Sequence, residues 1–124
     1  MEIMQYFKSI IDEDQCAVVI CAINDIIIYM NPAAQERYNK RGGASLLGKS
    51  LLDCHNDQSN KMIQKIKEWF QLSQTNNRIY ISYNEKENKD VYMIALRNEL
   101  GEVIGYYEKH EYRNRETEPF YNLT

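Results

Sequence analysis

The chain has 124 residues and a mass of 14.7 kDa, the size of one domain. Its net charge of -3 and pI near 5.4 exclude the basic excess expected of a nucleic-acid binder, and its longest apolar run, seven residues from Ala17 to Ile23, falls far short of the ~20 that a membrane span needs. Three cysteines (Cys16, Cys21 and Cys54), odd in number and without CxxC spacing, exclude a disulfide scaffold and a zinc knuckle and point to a reducing cytoplasm.

The elements follow in chain order. The N-terminus lacks a basic region ahead of a long apolar stretch, so it does not read as a secretory signal. Ile3, Met4, Phe7, Ile10 and Ile11 instead mark one narrow apolar face of an amphipathic helix from Glu2 to about Asp14, stopped by Asp12-Glu13-Asp14. Two β-rich runs, Ala17–Ile23 and Ile26–Met30, flank Asn24-Asp25 and predict a hairpin, since both turn residues tolerate positive φ. Asn31-Pro32 then opens a short helix to about Tyr38, with Asn31 as N-cap and Pro at the first helical position. After a loop through Gly48-Lys49-Ser50, a longer helix capped by Ser59 carries Met62, Ile63, Ile66, Trp69 and Phe70 on one face.

The last third is β-rich: Arg78–Tyr83, Asp90–Arg97 and Glu102–Tyr112. In the middle run Val91, Met93 and Ala95 alternate with Tyr92, Ile94 and Leu96, so both faces are apolar and the strand reads as central and covered on both sides. The N-terminal helix or a partner chain is the expected cover for the second face. The tail from about Arg113 reads as loosely ordered.

Three segments carry a family resemblance. Ala17-Val-Val-Ile with Ile28-Tyr-Met-Asn-Pro-Ala-Ala34 resembles the opening of a PAS domain; Leu46-Leu-Gly-Lys-Ser-Leu51 and Gly101-Glu-Val-Ile-Gly-Tyr106 resemble that family's later turn and last hairpin. The resemblance spans roughly residues 15–112, between a flanking helix (1–14) and a tail (113–124). It implies an α+β fold: a five-stranded antiparallel sheet in the order 2-1-5-4-3 with helices over one face. It also implies a pocket for haem, flavin or a small organic ligand, or else a ligand-free dimerisation and docking module. In such a domain the N-terminal helix would supply a homodimer surface through Ile3, Phe7, Ile10 and Ile11.

The expected pocket wall comprises Val19, Cys21, Met30, Tyr38, Leu47 and Leu52, together with Ile63, Ile66, Phe70, Ile81, Met93, Ala95 and Tyr107. Met and Tyr among aliphatics suit an adaptable cavity, and the same list also describes a filled core. His55, after Asp53-Cys54, is the candidate ligand of a haem iron or another metal, or else a residue bonded to the start of the long helix. The family's haem domains take their axial histidine from within the long helix, and Ser59–Gln71 contains none. Cys54 beside His55 suggests a thiolate, but no oxyanion donor or orienting third residue accompanies it. Flavin photochemistry needs an Asn-Cys-Arg-type motif, where this chain has Asp53-Cys54-His55. His110 is expected in an exposed cross-strand pair.

The leading expectation is a non-enzymatic sensory module that binds a small ligand and acts through dimer contacts and an effector in trans. A ligand-free docking domain, and a haem sensor with His55 as axial ligand, are the alternatives. No nucleic-acid or membrane partner is expected.

Overall fold

The computed structural model describes residues 1–124. Five antiparallel strands, β1 (Val19–Ala22), β2 (Ile27–Met30), β3 (Arg78–Asn84), β4 (Lys89–Arg97) and β5 (Val103–Tyr112), form one sheet in the order β2-β1-β5-β4-β3. This is the expected α+β architecture and strand order. Helix α1 (Ile3–Glu13) precedes the sheet, while α2 (Pro32–Arg37) and α3 (Asp57–Leu72) follow β2 and are linked by three short 3-10 turns. No helix is long and apolar enough to cross a membrane.

Alternation sorts the strands into two faces. Cys21, Ile27, Met30, Met93, Ala95 and Tyr106 point inward, against Ile63, Ile66 and Phe70 of α3. Burying side chains of this size stabilises by roughly 1.5–3 kcal/mol each. Gly105 lets β1 and β5 meet closely: a Cβ there would lie 2.2 Å from the Cys21 carbonyl oxygen, so no other residue fits. Gly48, at φ +85, makes the turn that sets Ser50 beside Ile26 at the start of β2.

Asn31 does more than cap α2. Fully buried, its Oδ1 accepts from the N–H groups of Ala34 and Val18, each at 2.9 Å. Its Nδ2 donates to the carbonyls of Ile11 at 2.9 Å, Cys16 at 3.0 Å and Asp14 at 3.4 Å. One amide therefore ties the end of α1, the entry to β1 and the start of α2.

Two expectations need correction. The α3 cap is Asn56, whose side chain reaches forward to accept from the Ser59 N–H at 2.8 Å, so the helix begins two residues before Ser59. The outer sheet face is only partly covered, since Asn31 and a Tyr29–Asp12 hydrogen bond root α1 over the β1–β2 edge. There Ile10 and Ile11 line a cleft of about 280 Å³ with Ile20, Leu96 and Tyr107. Over β4 and β3 the outer face is covered by its own side chains, Arg78 stacking on Tyr92 at 3.9 Å and Tyr80 lying beside it.

Candidate functional site

The interface between α3 and the sheet is polar at both ends, and the two ends are built differently. At one end sits Asp25, 4% exposed, whose carboxylate accepts from Lys67 Nζ at 2.8 Å, Tyr106 OH at 2.7 Å and Gln64 Nε2 at 3.2 Å. Lys67 also donates to the Ile23 carbonyl at 2.9 Å. Burial opposes ionisation of Asp25, but the bonds from Lys67, Tyr106 and Gln64 together outweigh it and hold the carboxyl below its ordinary range. Beyond it, Arg97 donates to the Phe70 and Ser73 carbonyls at 2.6 and 3.0 Å, capping the negative end of α3.

At the other end the layers part. A half-open cavity of about 710 Å³ lies between β1, β2 and β5, helix α2 and the segment 51–56. Val19, Ile27, Met30, Leu46 and Leu51 form its apolar wall; Tyr38, Arg41, His55, Asn56, Ser59 and Glu108 supply the polar groups. The volume lies in the range of small-molecule sites, and the lining divides about evenly between apolar and polar groups. A void of about 20 Å³ beneath it reaches Cys21, Tyr106 and His110.

Glu108 is the singular residue of this cavity. It pairs with Met93 across the sheet, on the inward face, and is half-buried. Burial pushes its carboxyl above the usual carboxylate range, against the opposing pull of His55, Lys89 and Arg37. Those nearest cations are otherwise engaged: Arg37 makes a bidentate pair with Glu87, at 3.0 Å for both bonds, and Lys89 lies 3.1 Å from the same carboxylate. Two residues on, His110 also faces inward. Burial and then the charges of Lys89 and Arg37 lower its pKa to about 4, so the ring is neutral at pH 7.

No family sequence model matches the chain, and no curated protein sequence does. Solved structures do. A C-terminal domain from Streptococcus mutans superposes with a TM-score of 0.65 at 20% identity, covering 87% of this chain and 83% of that one. The PAS domain of a Colwellia psychrerythraea protein gives 0.63 at 12% identity, over 90% and 98% of the two chains. The Aer2 receptor of Vibrio cholerae, described as a dual PAS-haem oxygen sensor, gives 0.54 at 20% identity, over 77% and 91%.

The chain has the PAS fold. Placed within it, the residues expected to wall a pocket fall into separate groups. Met30, Tyr38, Val19, Cys54 and His55 line the cavity. Ile63, Ile66, Phe70, Met93, Cys21 and Ala95 belong to the filled core, with Leu52 and Ile81 packed on its margin. Leu47 is exposed. Tyr107 is corrected: opposite Ile20 and Ile94 in the sheet, it lines the cleft under α1 instead of the main cavity. His110 is corrected too, since it turns inward next to Glu108. Glu108, Arg41 and Ser59 were not expected at the site; inward alternation from the buried Tyr106 was the signal that could have found Glu108.

The cysteine chemistry is quiet. Burial pushes the Cys21 thiol up to about 12 and raises that of Cys16. His55 Nδ1 stands 3.1 Å from the Leu51 carbonyl oxygen and, in the neutral ring, donates to it. That tautomer leaves Nε2 with its lone pair free. No group of three or more His, Cys, Asp or Glu side chains converges in metal-binding geometry. A haem would thus rest on the single imidazole of His55, with Arg41 the cation at the cavity edge for its carboxylates.

Proposed function

We propose that this chain is a sensory PAS module that takes a small organic ligand into the cavity between α2, the 51–56 segment and the sheet, and reports its occupancy through α1 to a second copy and to an effector protein in trans, in the cytoplasm. The observation that carries the reading is the contrast between a close-packed core at Phe70 and Met93 and a cavity of roughly 710 Å³ beside it, where the Arg41 and Glu108 side chains make no hydrogen bond within the chain. A ligand there touches α2 and β1 together, both joined to α1 through Asn31. Native mass spectrometry of the purified chain, with a thermal-shift screen of small metabolites, tests the reading. A retained small molecule or a saturable rise in Tm is expected, and Val19→Trp, which fills the cavity, should abolish it. A chain that carries nothing and responds to nothing would leave the ligand-free docking alternative.

The dimer part rests on α1, which buries no residue and exposes Ile3, Phe7 and Ile10, while Ile11 turns toward the sheet. Phe7→Glu should convert a dimer to a monomer in sedimentation without lowering Tm; an unchanged mass refutes the interface. A haem reading has one supporting observation, the free Nε2 of His55. When bound, haem would supply a gas- or redox-responsive iron, and His55 would hold it. Titration with haemin should then give a Soret band that His55→Ala removes; no band ends that reading.

A further inference from the structure

Asp25 and Glu108 are both acids on the inner side of the sheet, and only Asp25 has its partners in the chain. Glu108 has no hydrogen-bond donor and no ion pair of its own: the guanidinium of Arg37 and the ammonium of Lys89 are both committed to Glu87. With no donor in the chain, this half-buried carboxylate is left to solvent in the half-open cavity, and a ligand that displaces that water must bring donors of its own. Its location is specific as well. It lies on the cavity wall with the apolar surface of Val19, Met30 and Leu51 nearby and the Tyr38 ring at the same cavity.

Resting on the cavity reading above, we propose that the ligand is an amphipathic amine: a cationic N–H donor group bonded to the Glu108 carboxylate, attached to an apolar body that lies against Val19, Met30, Leu51 and Tyr38. The ammonium supplies the donors that the protein withholds, and a charge-assisted bond in a partly desolvated site is the stronger kind. The hydrocarbon part displaces water from the aliphatic wall and gains by its burial. Anionic ligands would meet Glu108 as a like charge, with Arg41 as the one cation at the cavity edge not engaged in an ion pair.

The test uses three probes of nearly equal shape, 2-phenylethylamine, 2-phenylethanol and phenylacetate, titrated calorimetrically into the full chain and into Glu108→Gln. The amine is expected to bind at least ~10-fold more tightly than the alcohol. Glu108→Gln should erase that margin, and a cooperative melt at a Tm no lower than that of the native chain shows that the variant folds. If the alcohol or phenylacetate binds as well as the amine, or the amine is indifferent to Glu108→Gln, the amine assignment is overturned and the cavity reading stands. If none of the three binds the native chain, both fall.

Discussion

Asp25 and Glu108 hang on the same sheet and meet opposite fates. Asp25 is enclosed by Lys67, Tyr106 and Gln64 and titrates below its ordinary range; Glu108 is left to the cavity and titrates above it. The first acid joins a turn, a strand and a helix, and its Tyr106 contact spans 81 residues of sequence. The second joins nothing within the chain. An interior charge with all its partners is a fastener, whereas one without them depends on solvent, or on the ligand proposed above.

The largest effect should come from opening the fastener. Lys67→Met strands Asp25 as an uncompensated charge at 4% exposure and should cost about 3–5 kcal/mol in urea unfolding. Adding Asp25→Asn to that variant should recover much of the loss; if the double variant is as unstable as the single, the charge was not the cause.

The second effect is a pH dependence. His110 is neutral in the folded protein down to about pH 4 but takes a proton near pH 6.5 when unfolded. The unfolded chain thus binds more protons in that window, so stability falls as pH drops from about 6.5 to 4. His110→Asn should flatten this part of a Tm-against-pH curve. A curve of unchanged slope would place the ring in water.

The smallest effect has the opposite sign. The folded pKa of Glu108 lies above its unfolded value, so the native state binds more protons and stability declines as pH rises through that interval. Glu108→Gln should therefore raise Tm by a few degrees at pH 7 to 8, and by nothing near pH 4. The charges facing this carboxyl, His55, Lys89 and Arg37, all reduce the gain. A variant that is less stable at neutral pH would show Glu108 to be partnered after all, and the contrast with Asp25 would collapse.

These residues also show how far the sequence was readable. Periodicity located α1 and α3 to within a residue or two, because each carries one continuous apolar stripe, and Asn31-Pro32 marked the start of α2 through its local cap bond. The strand order came through the resemblance, not through any local signal. The polar interior was not legible. Asp25 read as a turn residue because its turn is local, while the partners that bury it lie 39 to 81 residues away. In β5, Tyr106-Tyr107-Glu108-Lys109-His110 sets an aromatic and a charge on each face, so the period of two has no evident phase. A slip of one position then sends Tyr107 inward and leaves Glu108 out. The α1 cover of the outer face was overestimated for a related reason: amphipathicity says which side of a helix is apolar, not where its root is fastened.

That root has a mechanical consequence. With no buried side chain of its own, α1 is not steered by packing; its direction is set where the Asn31 amide and the Tyr29–Asp12 bond grip its last turn. The same amide grips the first turn of α2, whose last residue, Arg37, stands at the cavity. Helix α1 is therefore a lever about 16 Å long, at 1.5 Å per residue, turning on a pivot a few ångströms wide. Any tilt of α2 smaller than a bond length at that pivot appears several times larger at Ile3, where a second molecule could read it.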